Sequence, residues 1–218
     1  MSDVAPDGSP VDVYLALPFE ADLARVRAVI PPDASILDLG SGPGRLSNPL
    51  AADGHDVVAV DDSAEMLSHV VGASTVLADV WQLDLGRQFD VVLALSHLVN
   101  DRSPARRIEL LKVCRRHLAD TGVIVLQRFP PDWSPLEETG SIGDVGVRLF
   151  GVQPFNDDGF AAAVEYRLGE QTWIQRFEAA IVDDAELNAL AAAAGLIVRR
   201  SLDDEGSWML LGASRKVY

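Results

Sequence analysis

Cysteine is almost missing from this chain, with one, Cys114, in 218 residues. A single thiol excludes an internal disulfide and gives no metal-ligand spacing, so no metal is expected and Cys114 reads as a small buried hydrophobe. Positive charge is scarce as well. Lysine and arginine number 18 against 33 aspartates and glutamates, a formal net charge of -15, and such a field repels nucleic-acid backbones and anionic lipid. The basic stretches "ARRIEL" and "KVCRRHL" fall within one amphipathic helical pattern, where a charge run reads as a solvated face. No apolar run approaches the roughly 20 residues that span a bilayer. The opening "MSDVAPDGSP" has neither a basic region nor an apolar core, so it does not read as a signal peptide. Together these absences point to a reduced, cytoplasmic setting and exclude nucleic acid and membrane as expected partners.

What is present is a composition able to build a core: 48% of residues are hydrophobic and 23% charged. A chain of this length buries about two thirds of its unfolded surface and fits a single domain. Residues 1–12 read as a disordered tail. "PFEADLARVRAVI" places Leu23, Val26 and Ile30 at helical spacing, stopped by Pro31-Pro32, giving a lid helix over residues 13–30.

From residue 31 to 129 strands and helices alternate: "SILDL", "RLSNPLAADG", "DVVAVD", "AEMLSHVV", "TVLAD", "DVVLALS", "SPARRIELLKVCRRHL", "VIVLQRF". Ser103 can cap the helix that Pro104 begins. The alternation implies parallel strands with helices on both faces, and the strand runs are continuously apolar, as buried strands should be. After Pro130 the rhythm changes. "VGVRLFGVQ", "FAAAVEYRL" and "TWIQRFEAAIV" follow one another with turns at "PFNDDG" and "GEQ" and no helix between, so residues 130–182 form an antiparallel insertion. Residues 183–218 close the fold with the helix "DAELNALAAAAG", stopped by Gly195, and a hairpin of "LIVRRSL" and "WMLLGAS".

Glycines in "LDLGSGPGRL" mark a strand-to-helix turn of the kind that lets a nucleotide approach the backbone. The spacing is G-x-G-x-G, with Arg45 where a dinucleotide fingerprint has its third glycine. Asp38 ends the strand before the turn. A carboxylate there repels a pyrophosphate and favours an ammonium or sulfonium, which points to S-adenosylmethionine. Asp61 closes the next strand, where it can accept from both ribose hydroxyls, and Asp79 closes the third, where it can accept from the adenine amino group. Any one of these residues alone is commonly a turn or cap residue. The ordered set has no comparable bland explanation.

Through "LDLGSGPGRL", "VAVDDSAEML", "LADVWQLDL" and "FDVVLALSHLVN", over about residues 34–128, the chain resembles the class I S-adenosylmethionine-dependent methyltransferases. The resemblance implies an α/β fold: a Rossmann-like doubly wound sheet, mostly parallel, with a C-terminal antiparallel hairpin strand. It implies that Asp38, Gly40, Ser41, Gly42 and Gly44 surround the methionine portion, that Asp61, with Asp62 beside it, faces the ribose, and that Met66 packs on the adenine. Asp79 and the backbone of Val80 would hold the adenine edge, and backbone at Leu95 or Ser96 the ammonium. Met66 also has helical spacing to Val70, which a core residue would have.

Methyl transfer needs alignment and water exclusion rather than a nucleophile or metal. His97 follows the fourth strand and is the candidate base, or else it orients Asn100. His55, His69 and His117 read as structural or solvated. Arg128 could hold an acceptor carboxylate or phenolate, or pair with Asp132. Tyr14, Phe129, Trp133 and Trp173 are candidate walls of the acceptor pocket, or packing residues. In the resembling family, additions after the fifth strand look like those of small-molecule enzymes. The expected activity is therefore transfer of a methyl group to O or N of a small organic acceptor, yielding S-adenosylhomocysteine, by a monomer or homodimer. Abundant alanine and arginine with few lysines suggest a GC-rich bacterial genome and small-metabolite or secondary chemistry. A nicotinamide oxidoreductase and a cofactor-binding protein without methyl transfer are the alternatives.

Overall fold

The computed structural model describes residues 4–155 and 159–214. Two short helices, α1 (Val11–Ala16) and α2 (Glu20–Arg27), precede the alternating core of β1 (Ser35–Leu39), α3 (Ser47–Ala52), β2 (Asp56–Asp61), α4 (Ala64–Leu67), β3 (Ser74–Leu77), β4 (Phe89–Ala94), α5 (Pro104–Arg116) and β5 (Leu118–Gln127). Four antiparallel strands follow: β6 (Glu138–Ile142), β7 (Val145–Phe155), β8 (Gly159–Leu168) and β9 (Gln171–Ala180). The helix α6 (Asp184–Ala193) and the hairpin β10 (Leu196–Ser201) and β11 (Trp208–Ala213) complete the chain.

The main sheet has seven strands in the order β10-β11-β5-β4-β1-β2-β3. β1 to β5 pair in parallel, and β11 runs antiparallel against β5. This is the expected doubly wound sheet with its C-terminal hairpin. Burial on both faces explains the unbroken apolar runs: Leu37, Leu39 and Val92 pack toward α5 and α6, while Ile36, Val91 and Leu93 pack toward α2 and α3. Strand order reverses between β1 and β4, the position where doubly wound sheets open a crevice at their carboxyl edge.

Several local expectations need correction. The single helix over residues 13–30 is two helices, because Pro18 interrupts the run and its predecessor Leu17 is extended at ψ 131°. The tail is folded from residue 4 onward; residues 1–3 lie outside the described residues. Ala5 N–H donates to the Ser9 carbonyl, and Ala5 and Val11 bury themselves against Met66, which gives this polar segment an apolar anchor. Ser103 makes no side-chain cap, although Pro104 does begin α5; instead the Asp101 carboxylate accepts from Ser103 N–H at 2.8 Å. Arg107 of the expected solvated face is buried, and its guanidinium meets Glu186 of α6 at 2.8 Å.

The insertion has four strands rather than three. β6, "ETGSI", is exposed throughout and shows no apolar alternation, so its pairing rests on a tight turn with Gly143 at φ +59° between Ile142 and Val145. Of the expected turn "PFNDDG", residues 156–158 lie outside the described residues, as do 215–218. Asn100 ties this second sheet to the first: its Nδ2 donates to the Ala180 carbonyl at 2.7 Å, and its Oδ1 accepts from Phe129 N–H at 3.0 Å. No helix among the described residues is long and apolar enough to cross a membrane.

Candidate functional site at the carboxyl edge of the sheet

Asp38 sits in the central strand, between Ala59 of β2 and Leu93 of β4, and its carboxylate is buried. It accepts from the Ser47 hydroxyl at 2.6 Å. Burial raises its pKa from 3.8 to about 6, with the charge of Asp61 adding to the rise and the Ser47 bond and Arg45 opposing it. The glycine turn then leaves the strand. Gly40, Gly42 and Gly44 take φ of +67°, +55° and +83°, a region that side chains with a Cβ avoid. Ser41 N–H donates to the Val60 carbonyl at 3.0 Å and Gly42 N–H to Asp61 Oδ2 at 2.8 Å, so the turn is pinned to the end of β2.

Asp61 also accepts from Ser63 N–H at 2.9 Å, and Ser63 in turn caps α4 by accepting from Met66 N–H at 3.2 Å. That cap orients Met66, whose side chain is buried against Ala5 and Val11 as well as facing the cavity beside the turn. Burial raises the pKa of Asp61, and burial together with the charges of Asp61, Asp7 and Asp79 raises that of Asp62. Three carboxylates held at elevated pKa mark a place that gains by receiving positive charge.

Two adjoining cavities share Gly40, Ser41, Arg45 and Ser96. The larger runs past Asp61, Asp62 and Met66 to Val80 and Trp81, and is walled by Ala5, Asp7, Ser9 and Tyr14 from the N-terminal segment. The smaller reaches Asp38, Leu95 and Gln127. Ser96 and His97 are consecutive non-glycine residues with positive φ, +52° and +62°, and Gln127 Oε1 accepts from Ser96 N–H at 2.9 Å to hold that conformation. Left-handed backbone at such residues costs about 1 kcal/mol or more each, and such strain gathers at ligand sites.

Two observations test the fit of S-adenosylmethionine. Among the described residues the Ser41 hydroxyl is buried without a hydrogen-bond partner, and Ser41 lines both cavities. A Cβ on Gly42 would meet nothing within 4 Å, so the turn leaves open space where a ligand can approach backbone. A nucleoside bearing ammonium and sulfonium charge suits this donor and acceptor set; a diphosphate would lie against Asp38 and Asp61.

The structure therefore brings Gly40, Ser41, Gly42, Asp61, Asp62, Met66, Val80 and Ser96 to one cavity, and Asp38 and Leu95 to the adjoining one. Gly44 lies behind the turn, where a Cβ would come within 2.4 Å of Asn48 Oδ1. Asp79 stands outside the lining residues, its carboxylate accepting from Trp81 N–H and Gln82 Nε2, both at 3.0 Å. Among the acceptor candidates only Tyr14 lines the larger cavity. Trp133 lines a third cavity with Phe160 and Pro154, under the insertion.

Arg128 and His97 are corrected. Arg128 is fully buried and donates to the carbonyls of Gly206 and Val182, both at 2.8 Å, and to the Asp184 carboxylate, leaving it neither an acceptor nor Asp132. It joins the end of β5 to α6 and to the β10–β11 loop. His97 lines none of the three cavities. Its ring stacks on Phe129 at 4.2 Å, Phe129 stacks on Trp133 at 4.8 Å, and burial lowers its pKa to about 4.

Sequence reasoning missed Asp7, Ser9, Trp81 and Gln127. Trp81 directly follows Val80 and Gln127 ends a strand, so both stood within reach. Asp7 and Ser9 lie in a segment whose composition hides its fold.

A family model described as a methyltransferase domain matches residues 36–122. An uncharacterized protein of Haemophilus influenzae is 35% identical over 42% of this chain and 41% of its own length, so the chain spans about two fifths of that relative. Among solved structures, the sugar N-methyltransferase KedS8 of a Streptoalloteichus species superposes with a TM-score of 0.75 at 20% identity, covering 99% of this chain and 96% of its own. CalS10 of Micromonospora echinaspora, an amino pentose methyltransferase solved with S-adenosylmethionine bound, gives 0.74 at 21%, over 94% and 95%. A Burkholderia thailandensis didemethyltoxoflavin N1-methyltransferase gives 0.58 at 19%, over 94% and 82%. Residues 36–122 thus match a methyltransferase domain, and the chain has the fold of the class I S-adenosylmethionine-dependent methyltransferases.

Proposed function

We propose that the protein transfers a methyl group from S-adenosylmethionine to a small organic acceptor at O or N, leaving S-adenosylhomocysteine. The observation that carries the reading is the buried Asp38 carboxylate, held at a pKa of about 6 beside a glycine turn and close enough to Asp61 to feel its charge. Bound there, the cofactor supplies a methyl group already activated by a positive sulfur. The protein's own part is binding, orientation and water exclusion. Asp38 and the Leu95 carbonyl would receive the ammonium, Asp61 the ribose hydroxyls, and Met66, Val80 and Trp81 would enclose the adenine. The strained Ser96–His97 turn sets the backbone beside the smaller cavity.

Nitrogen is the better served acceptor atom. An amine in its neutral form brings its own lone pair, whereas a hydroxyl calls for a base, and His97 is stacked away from the cavities. Bacterial small-metabolite chemistry in the cytoplasm is the setting that accords with this.

Incubation with methyl-labelled cofactor and a metabolite extract, followed by mass spectrometry, tests the proposal. The expected result is S-adenosylhomocysteine together with a labelled metabolite heavier by one CH2. Tight cofactor binding with no methylated product from any amine or hydroxyl compound would instead make this a binding protein without transfer.

A further inference from the structure

We propose that Arg45 holds the carboxylate of the cofactor's methionine portion; this rests on the S-adenosylmethionine reading above. Arg45 is the first residue past Gly44 and lines both cavities at their junction. In a chain of net charge -15 an arginine finds acidic partners easily, and Arg25, Arg27 and Arg87 each do. Arg45 does not: among the described residues no carboxylate oxygen lies within 4 Å of its guanidinium, although Asp22 and Asp38 share the smaller cavity with it and feel its charge.

What Arg45 does have is a tether. One N–H donates to the Pro18 carbonyl at 3.2 Å, and the guanidinium lies 5.9 Å from the centre of the Tyr14 ring. These contacts use one of five donors and restrict the fork's orientation, which lowers the entropy lost when an anion binds. The amino-acid end of the cofactor is a zwitterion whose two charges sit on one carbon. A cation and a carboxylate lining the same small cavity match it, with Asp38 toward the ammonium and Arg45 toward the carboxylate. The guanidinium fork accommodates a carboxylate with two parallel hydrogen bonds, which a lysine cannot reproduce.

Calorimetric titration with S-adenosylmethionine and with its decarboxylated form, which keeps adenosine, sulfonium and ammonium, isolates the contact. The wild type should prefer the intact cofactor by about tenfold or more, as expected for a charge-assisted pair. Arg45→Gln should bring that preference close to unity while leaving affinity for the decarboxylated form near the wild-type value, and Arg45→Lys should fall between. Unchanged preference in Arg45→Gln overturns the proposal, and so does an equal loss for both ligands. If Arg45→Gln fails to fold, the wild type and Arg45→Lys still decide: equal wild-type binding of both forms, or full preference in the lysine variant, contradicts a guanidinium clamp. Wild-type protein that binds neither ligand overturns the cofactor reading itself, a result separate from these.

Discussion

On the proposed function, Asp38 trades stability for binding. Unfolded, its carboxyl releases a proton near pH 3.8; folded, it keeps the proton to about pH 6, so ionisation opposes folding. The penalty is absent below pH 3.8, grows between 3.8 and 6, and is full above about pH 6, where the shift amounts to about 3 kcal/mol. A positive ligand recovers part of that cost. Asp38→Asn should therefore melt at the same or a higher temperature than wild type at pH 7.5 without cofactor, yet bind S-adenosylmethionine roughly tenfold or more weakly. Wild-type affinity should fall roughly tenfold between pH 7 and pH 5 as Asp38 protonates, and the variant's should fall less, with Asp61 and Asp62 as the remaining titrating groups at the site. Melting curves and titrations at several pH values check both signs. The places of Asp38, Asp61, Gly40 and Gly42 beside the cavities were legible in the sequence, because the two acids lie at the carboxyl ends of strands and the glycines follow the first of them. Arg128 and His97 were not. Their partners, Val182, Gly206 and Phe129, are supplied by chain far away in sequence, and no local pattern reveals whether an end-of-strand side chain turns into the cavity or into the core.

Among the elements, the parallel strands were readable because burial on both faces demands unbroken apolar runs. β6 was not, since an exposed edge strand needs no apolar face and only the Gly143 turn betrays it. The N-terminal segment was misread for a similar reason: two side chains, Ala5 and Val11, anchor an otherwise polar stretch onto Met66. The glycine turn offers a separation of fold from function. Gly42 has positive φ and open space around a Cβ, whereas a Cβ on Gly44 collides with Asn48, whose side chain accepts from Val71 N–H and donates to the His69 carbonyl. Gly42→Ala should cost only about 1–2 kcal/mol of stability from the left-handed backbone and weaken cofactor binding by more than that strain explains. Gly44→Ala should destabilise more, because Asn48 must also move. Denaturant unfolding beside cofactor titration of the two variants would show the contrast; equal effects on binding and stability in both would contradict it.

At the scale of the whole molecule, two sheets divide the work. The seven-stranded sheet presents its carboxyl edge at the point where strand order reverses, and the antiparallel sheet, fastened through Asn100, Asp101 and Gln175, stands over the same edge. The architecture could be read from alternation and spacing, while the proposed acceptor side could not, because the insertion and the N-terminal segment that would build it meet across some 170 residues of chain, as Gln175 does with Ser9. The charge of the chain follows the same logic: on the proposed function, acids collected at one edge would admit a cationic nucleoside and reject a diphosphate. Isothermal titration of the protein at pH 7.5 with S-adenosylmethionine and, separately, with NAD tests that claim most directly. Saturable heat with the sulfonium compound and none with the dinucleotide is the expected result; saturation by NAD with no response to S-adenosylmethionine would contradict it.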